Sequence, residues 1–150
     1  MKKALLIGIN YVGTNSELNG CINDIYSMKN YLEKNLNYNN IKILTDNTNE
    51  KPTAANIYKE LYNLLVDSIV NNLEEVWIHY SGHGTSIIDY SGDEKDGRDE
   101  CIVPVDYEYS GIISDDNIRH YFQYFSPNTK VYSFFDCFNS VTIIDLPYNY

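Results

Sequence analysis

Basic residues are scarce in this chain. Eleven Lys and Arg stand against twenty-one Asp and Glu, a formal charge of −10. Such a balance speaks against nucleic acid and anionic membrane surfaces as partners, and suits cationic substrates, basic peptides or divalent metal. Cysteine is scarce as well. Cys21, Cys101 and Cys137 are an odd number with no framework spacing, which points away from a disulfide scaffold and towards a reducing, cytoplasmic setting. Long apolar runs are missing. The six residues from Ala4 to Ile9, behind Lys2-Lys3, are too few for the core of a secretory leader, and no later stretch approaches a membrane span. Nor is there a repeat, a linker or a low-complexity segment, so one domain over residues 1–150 is expected. With 43% hydrophobic and 14% aromatic residues, that domain has enough apolar surface for a packed core.

The apolar pattern predicts the elements. Lys3 to Ile9 reads as a strand buried on both faces. Ile22, Ile25, Met28, Leu32 and Leu36 form a helical stripe, and Ile41 to Leu44 a second strand. Pro52-Thr53 opens a helix with Ile57, Leu61, Leu64, Leu65 and Ile69 on one face. Val76 to Tyr80 is a third strand, and the polar stretch from Gly82 to Glu100 reads as loop. Cys101 to Val105 is a short strand. Ser114 caps a third helix, with Asp115 and Asp116 in its first turn and Ile118, Tyr121, Phe122 and Phe125 on its buried side. Val131 to Phe135 is the last strand. The order β-α-β-α-β-β-α-β implies a three-layer α/β sandwich with a mostly parallel central sheet. In such sheets ligands collect beyond the carboxyl ends of the strands.

Two segments at those ends carry chemistry. In His79-Tyr80-Ser81-Gly82-His83-Gly84, His83 is flanked by glycines that let the backbone turn sharply. It is a candidate general base, with the Gly84 amide as oxyanion donor. A loop histidine with only local hydrogen bonds is the plainer alternative. His79 and His83 share the spacing of zinc-binding helices, but the strand context and the missing H-E-x-x-H glutamate speak against zinc. His79 is expected to pack within the sheet, and His120 to lie on a helix surface. Gly8-Ile9-Asn10 lacks the G-x-G-x-x-G spacing and the phosphate-binding lysine of a nucleotide site. The second segment, Phe134-Phe135-Asp136-Cys137-Phe138-Asn139-Ser140, supplies a cysteine at a neighbouring strand mouth.

Taken together, these stretches resemble the catalytic region of a metacaspase, a relative of the caspases. The matching motifs run from Lys3–Tyr11 and Leu18–Asp24 through Pro52–Ile57, His79–Gly84, Asp96–Glu100 and Pro104–Asp106 to Asp145–Tyr148. The resemblance implies a caspase-like fold and a Cys/His dyad that cleaves peptide bonds after Arg or Lys, with calcium as activator. It also implies a substrate pocket lined by Asp24 and Asp136 near Cys21 and Ser81; paired carboxylates there would attract a guanidinium or ammonium group. The family's calcium ligands fall on Asp99, Asp115, Asp116 and Asp145. Without the resemblance, Asp24, Asp115 and Asp116 would read as helix-start charges and Asp99 as a solvated loop charge.

The chain departs from the family at the nucleophile. Members carry Asp, a small residue, the reactive Cys, then His, Ser and Gly. Here the same columns read Asp136, Cys137, Phe138, Asn139, Ser140 and Val141. Phe138 therefore stands in the nucleophile position, and Cys137 one residue early. Successive strand side chains point to opposite faces, so a thiol at 137 is expected to face away from the side that needs it. The reading is a pseudoprotease that binds basic peptides or modulates an active relative. The alternative is an active endopeptidase in which a local bulge turns a displaced Cys137 towards His83, and a third reading is a remnant without function. The family's further C-terminal segment is expected to be missing, or supplied in trans.

Overall fold

The computed structural model describes residues 1–88 and 98–139. Its elements in chain order are β1 (Lys2–Gly8), α1 (Cys21–Asn35), β2 (Ile41–Thr45), α2 (Ala54–Val70) and β3 (Glu75–Ile88). They continue with β4 (Arg98–Ile102), α3 (Tyr107–Ser110), β5 (Ile113–Ser114), α4 (Asp115–Phe122) and β6 (Lys130–Asn139). β1 lies between β2 and β3, parallel to both, and β6 runs parallel to β3 on its other edge. β4 pairs antiparallel with the far half of β3, and β5 with β4.

Alternation along β1 builds two cores. Leu5, Ile7 and Ile9 pack with Ile57, Leu61 and Leu64 of α2 and Ile118 of α4. Ala4 and Leu6 face the opposite way, onto Ile25 and Leu32 of α1. A strand covered on both faces must be apolar throughout, and the run from Ala4 to Ile7 is buried without a break. At its end Gly8 lets α1 approach: a Cβ there would stand 2.5 Å from Cγ1 of Ile25 and 2.9 Å from the Cys21 carbonyl oxygen. Helices α2 and α4 start as their sequences predict. The Thr53 hydroxyl accepts from the Asn56 N–H at 3.1 Å, and the Ser114 hydroxyl from the Asn117 N–H at 3.2 Å.

Three expectations are corrected. Residues 82–88 are strand, not loop: β3 continues past its apolar half, and β4 begins at Arg98 rather than Cys101. Polar composition is no obstacle there, because both edges of β3 at Gly84 are paired, to Ile102 and to Asn139. Ile69 is 58% exposed, while Ser68 takes the buried position on α2. The buried stripe runs through Ile57, Leu61, Leu64 and Ser68, and Ile69 lies one helical step beyond it. Finally, the short helix α3 and the two-residue β5 have no apolar periodicity to announce them.

Candidate active site

His83 stands in β3 beyond the point where β1 ends, and is 4% exposed. Its Nε2 lies 2.6 Å from the carbonyl oxygen of Ser16. A carbonyl only accepts, so Nε2 carries the proton, and the lone pair of the neutral ring belongs to Nδ1. Two tyrosines fix the backbone on either side of that ring. The His83 N–H donates to the Tyr11 hydroxyl at 3.0 Å, and the Tyr80 hydroxyl donates to the His83 carbonyl at 2.6 Å. Tyr11 in turn donates to the Val103 carbonyl at 2.6 Å, and its hydroxyl lies 2.9 Å from that of Tyr80. The Tyr11 ring also packs on the imidazole, with centroids 4.7 Å apart. Gly82 is required by this clamp: a Cβ there would sit 2.5 Å from the Tyr80 hydroxyl oxygen and 3.1 Å from that of Tyr11.

The loop that carries Tyr11 and Ser16 is held by Asp46. Its carboxylate accepts from the N–H groups of Asn10 at 2.8 Å and Val12 at 3.2 Å. Tyr11 adopts φ 55°, an uncommon conformation for an aromatic residue. The Asn10 side chain accepts from the Cys21 N–H at 3.0 Å and so satisfies a donor at the start of α1. Tyr11, Ser16, Asn10, Asp46 and the clamping role of Tyr80 escape a reading of the sequence. Tyr11 and Tyr80 do lie inside the recognised motifs, which is the signal that could have found them.

Beside the histidine, the α1 face of the sheet gathers carboxylates. The Ser81 hydroxyl donates to Asp24 at 3.3 Å, and Asp136 of β6 stands in register with Ser81. Cys21 is buried against this group. Burial pushes its thiol pKa up, a hydrogen bond with Ser81 opposes that shift, and Asp24, Asp136 and Asp46 reinforce it. Cys21 is thus kept as a thiol rather than a nucleophilic thiolate. Burial holds the His79 imidazole below its usual pKa, against the upward pull of Asp136 and Asp24. His79 is packed in the sheet as expected, beside Phe134, and among the described residues its buried Nδ1 has no hydrogen-bond partner. His120 is exposed on α4. The four residues expected to line the substrate pocket, Asp24, Asp136, Cys21 and Ser81, are therefore brought together.

At the nucleophile columns the backbone register is continuous. β6 runs beside β3 without slip from Lys130 opposite Glu75 to Asn139 opposite Gly84. Phe138 is the residue opposite His83, and Cys137 is opposite Gly82. Gly84, expected in a loop, lies within the ladder. Of the expected metal ligands, Asp99 stands in β4 opposite Ile87, and Asp115 and Asp116 open α4. Asp145 and the side chains of Asp99, Asp115, Cys137 and Phe138 lie outside the described residues. Among those described, no group of three His, Cys, Asp or Glu gathers as a metal site.

Comparison with known proteins bears on the family and the fold. The family model "Metacaspase, peptidase C14 domain" matches residues 2–147. The chain belongs to the metacaspase family. It is 43% identical to Metacaspase-1 of Sclerotinia sclerotiorum and to Metacaspase-1 of Ajellomyces capsulatus, and 43% identical to Metacaspase-1A of Aspergillus terreus, in each case over 99% of its own length. It spans only 35%, 43% and 38% of those relatives. The fold, a caspase-like α/β sandwich, also resembles the crystal structure of protein GSU0716 from Geobacter sulfurreducens. That likeness has a TM-score of 0.67 at 24% identity, over 95% of this chain and 52% of the other. Among the described residues no helix is long and apolar enough to cross a membrane.

Proposed function

We propose that this metacaspase-family chain is a pseudoprotease: it keeps the family's base and acidic pocket, holds basic peptides, and modulates an active relative. One observation carries the reading. The position in register with His83 belongs to Phe138, and the uninterrupted β3–β6 ladder contains no bulge that would bring residue 137 into that register. General-base activation requires an acidic proton about 3 Å from the imidazole nitrogen. A phenyl ring has none to give, so residue 138 offers His83 no proton to remove.

Specificity for Arg or Lys rests on Asp24 and Asp136, whose carboxylates share the α1 face of the sheet with Ser81. A guanidinium can satisfy two such acceptors at once. For calcium, the donor set fits by chemistry: Asp99, Asp115, Asp116 and Asp145 offer only hard oxygens. The fold supports this, because the β4–β5 register, Cys101 opposite Ser114, directs the strand containing Asp99 to the start of α4. A bound cation would tie that edge of the sheet to α4. The odd number of cysteines without framework spacing supports the cytoplasmic location we propose.

The test restores the missing group. Phe138→Cys is expected to create calcium-dependent cleavage of an Arg-terminated fluorogenic peptide, where the parent chain has none and still binds the peptide by calorimetry. Parent turnover that disappears on Cys137→Ala would instead establish the displaced-nucleophile enzyme.

A further inference from the structure

The loop that reaches His83 runs from Asn10 to Leu18. It is closed at its base by the Leu18 N–H, which donates to the Asn10 carbonyl at 2.7 Å. Its shape depends on Tyr11 standing at φ 55°, a conformation that a bulky side chain resists. Asp46 brackets that residue. One carboxylate oxygen accepts from the N–H before it, on Asn10, and the other from the N–H after it, on Val12. From Tyr11 the bonds continue inward. The Tyr11 carbonyl accepts from the Thr14 hydroxyl at 2.7 Å, and the Thr14 hydroxyl oxygen accepts from the Ser16 N–H at 3.1 Å. The carbonyl of the buried Ser16 then accepts from Nε2 of His83 at 2.6 Å. Asp46 itself lies just past β2, thirty-six residues from Asn10. Among the described residues the turn there is tied by other groups. The Thr48 hydroxyl accepts from the Thr45 N–H at 2.9 Å, and the Lys51 ammonium donates to the Asp46 carbonyl at 2.8 Å.

We propose that Asp46 is a positioning residue for His83: through this loop it fixes the ring proton on Nε2 and the lone pair on Nδ1. A neutral imidazole has two tautomers, and the partner of one nitrogen decides between them. The Ser16 carbonyl is that partner, and it stays in place while residue 11 keeps its strained conformation. Relaxation of Tyr11 to negative φ would break the relay at its first bond and draw the carbonyl off the ring. Two acceptor oxygens are needed to prevent it. Asp46→Asn keeps the shape of the side chain but turns an amide donor towards one of the two N–H groups, and Asp46→Ala removes both acceptors. The assignment stands whether the chain cleaves peptides or only holds them, because both readings keep the ring.

Proton and nitrogen NMR of the full chain, above the ordinary imidazole pKa, reads the proton directly. The parent is expected to show a His83 ring proton bonded to Nε2 and exchanging slowly with water. Asp46→Asn is expected to speed that exchange about tenfold or more, and Asp46→Ala further. In both variants the two ring-nitrogen shifts are expected to draw together as the second tautomer fills. Ser114→Ala, which removes the cap of α4, controls for lost stability and is expected to leave both signals unmoved. Loss of the folded spectrum in Asp46→Asn would assign the residue to general support of the fold and overturn the proposal. So would a parent proton on Nδ1, unchanged ring signals in both Asp46 variants, or an equal change in Ser114→Ala.

Discussion

The Tyr11 hydroxyl touches three buried polar groups: the N–H of His83, the carbonyl of Val103 and the hydroxyl of Tyr80. Removing it leaves the ring in place but takes away the hydroxyl that the buried His83 N–H donates to and the shorter of two hydroxyl contacts to the Val103 carbonyl, at about 1–3 kcal/mol for a buried polar group that loses its partner. Tyr11→Phe is therefore expected to lower stability by a few kcal/mol in urea denaturation with the slope unchanged; a loss within error would show that the clamp is not needed. His83 itself is legible in the sequence because two glycines isolate it. Its partners are not, because they come from far along the chain: Tyr11 is seventy-two residues away and Ser16 sixty-seven. No local pattern encodes a hydrogen bond of that span. The chemistry of residue 138 is legible for the opposite reason, being a matter of order along one strand.

Elements whose burial is continuous or periodic match their sequence reading. β1, α1, α2 and α4 begin and end close to their expected residues because apolar runs and caps are local signals. The Thr53 hydroxyl is one such signal. Thr53→Ala is expected to cost about 1 kcal/mol in thermal or chemical denaturation, and Thr53→Asp or Thr53→Ser to recover most of it; an alanine variant as stable as the parent would remove the cap from the account of α2. The far half of β3 is different. Its Ser-Gly-His-Gly-Thr-Ser composition looks like a loop, yet it is strand because β4 and β6 supply ladder partners from elsewhere in the chain. Strand propensity depends on what packs alongside, so an element made by its neighbours is invisible before they are placed.

For the molecule as a whole, the excess of acid over base is apportioned between two proposed sites. Under that proposal Asp24 and Asp136 would attract basic side chains on the α1 face, and Asp99, Asp115 and Asp116 would draw calcium to the β4–α4 edge, with Asp145 as a further ligand. A cation held by separate segments stabilises only the folded chain. Calcium at a hundredfold excess over its dissociation constant is expected to add about 2.7 kcal/mol to the unfolding free energy. Magnesium is expected to add less, because it resists dehydration and irregular coordination. Asp116→Asn is expected to abolish most of the calcium increment while changing little without calcium. A melting temperature that ignores calcium would remove the metal from this chain.

The sequence by itself determined the family, the layered fold and the identity of the residue at the nucleophile column. Each of these is written in local order: apolar runs, caps and the spacing of short motifs. The tertiary structure alone decided that residue 138 rather than 137 stands opposite His83 without a compensating bulge, which histidine nitrogen holds the lone pair, and which tyrosines hold the ring in place. Those are consequences of strand register and of contacts between residues dozens of positions apart, and they come into existence only when the strands lie side by side.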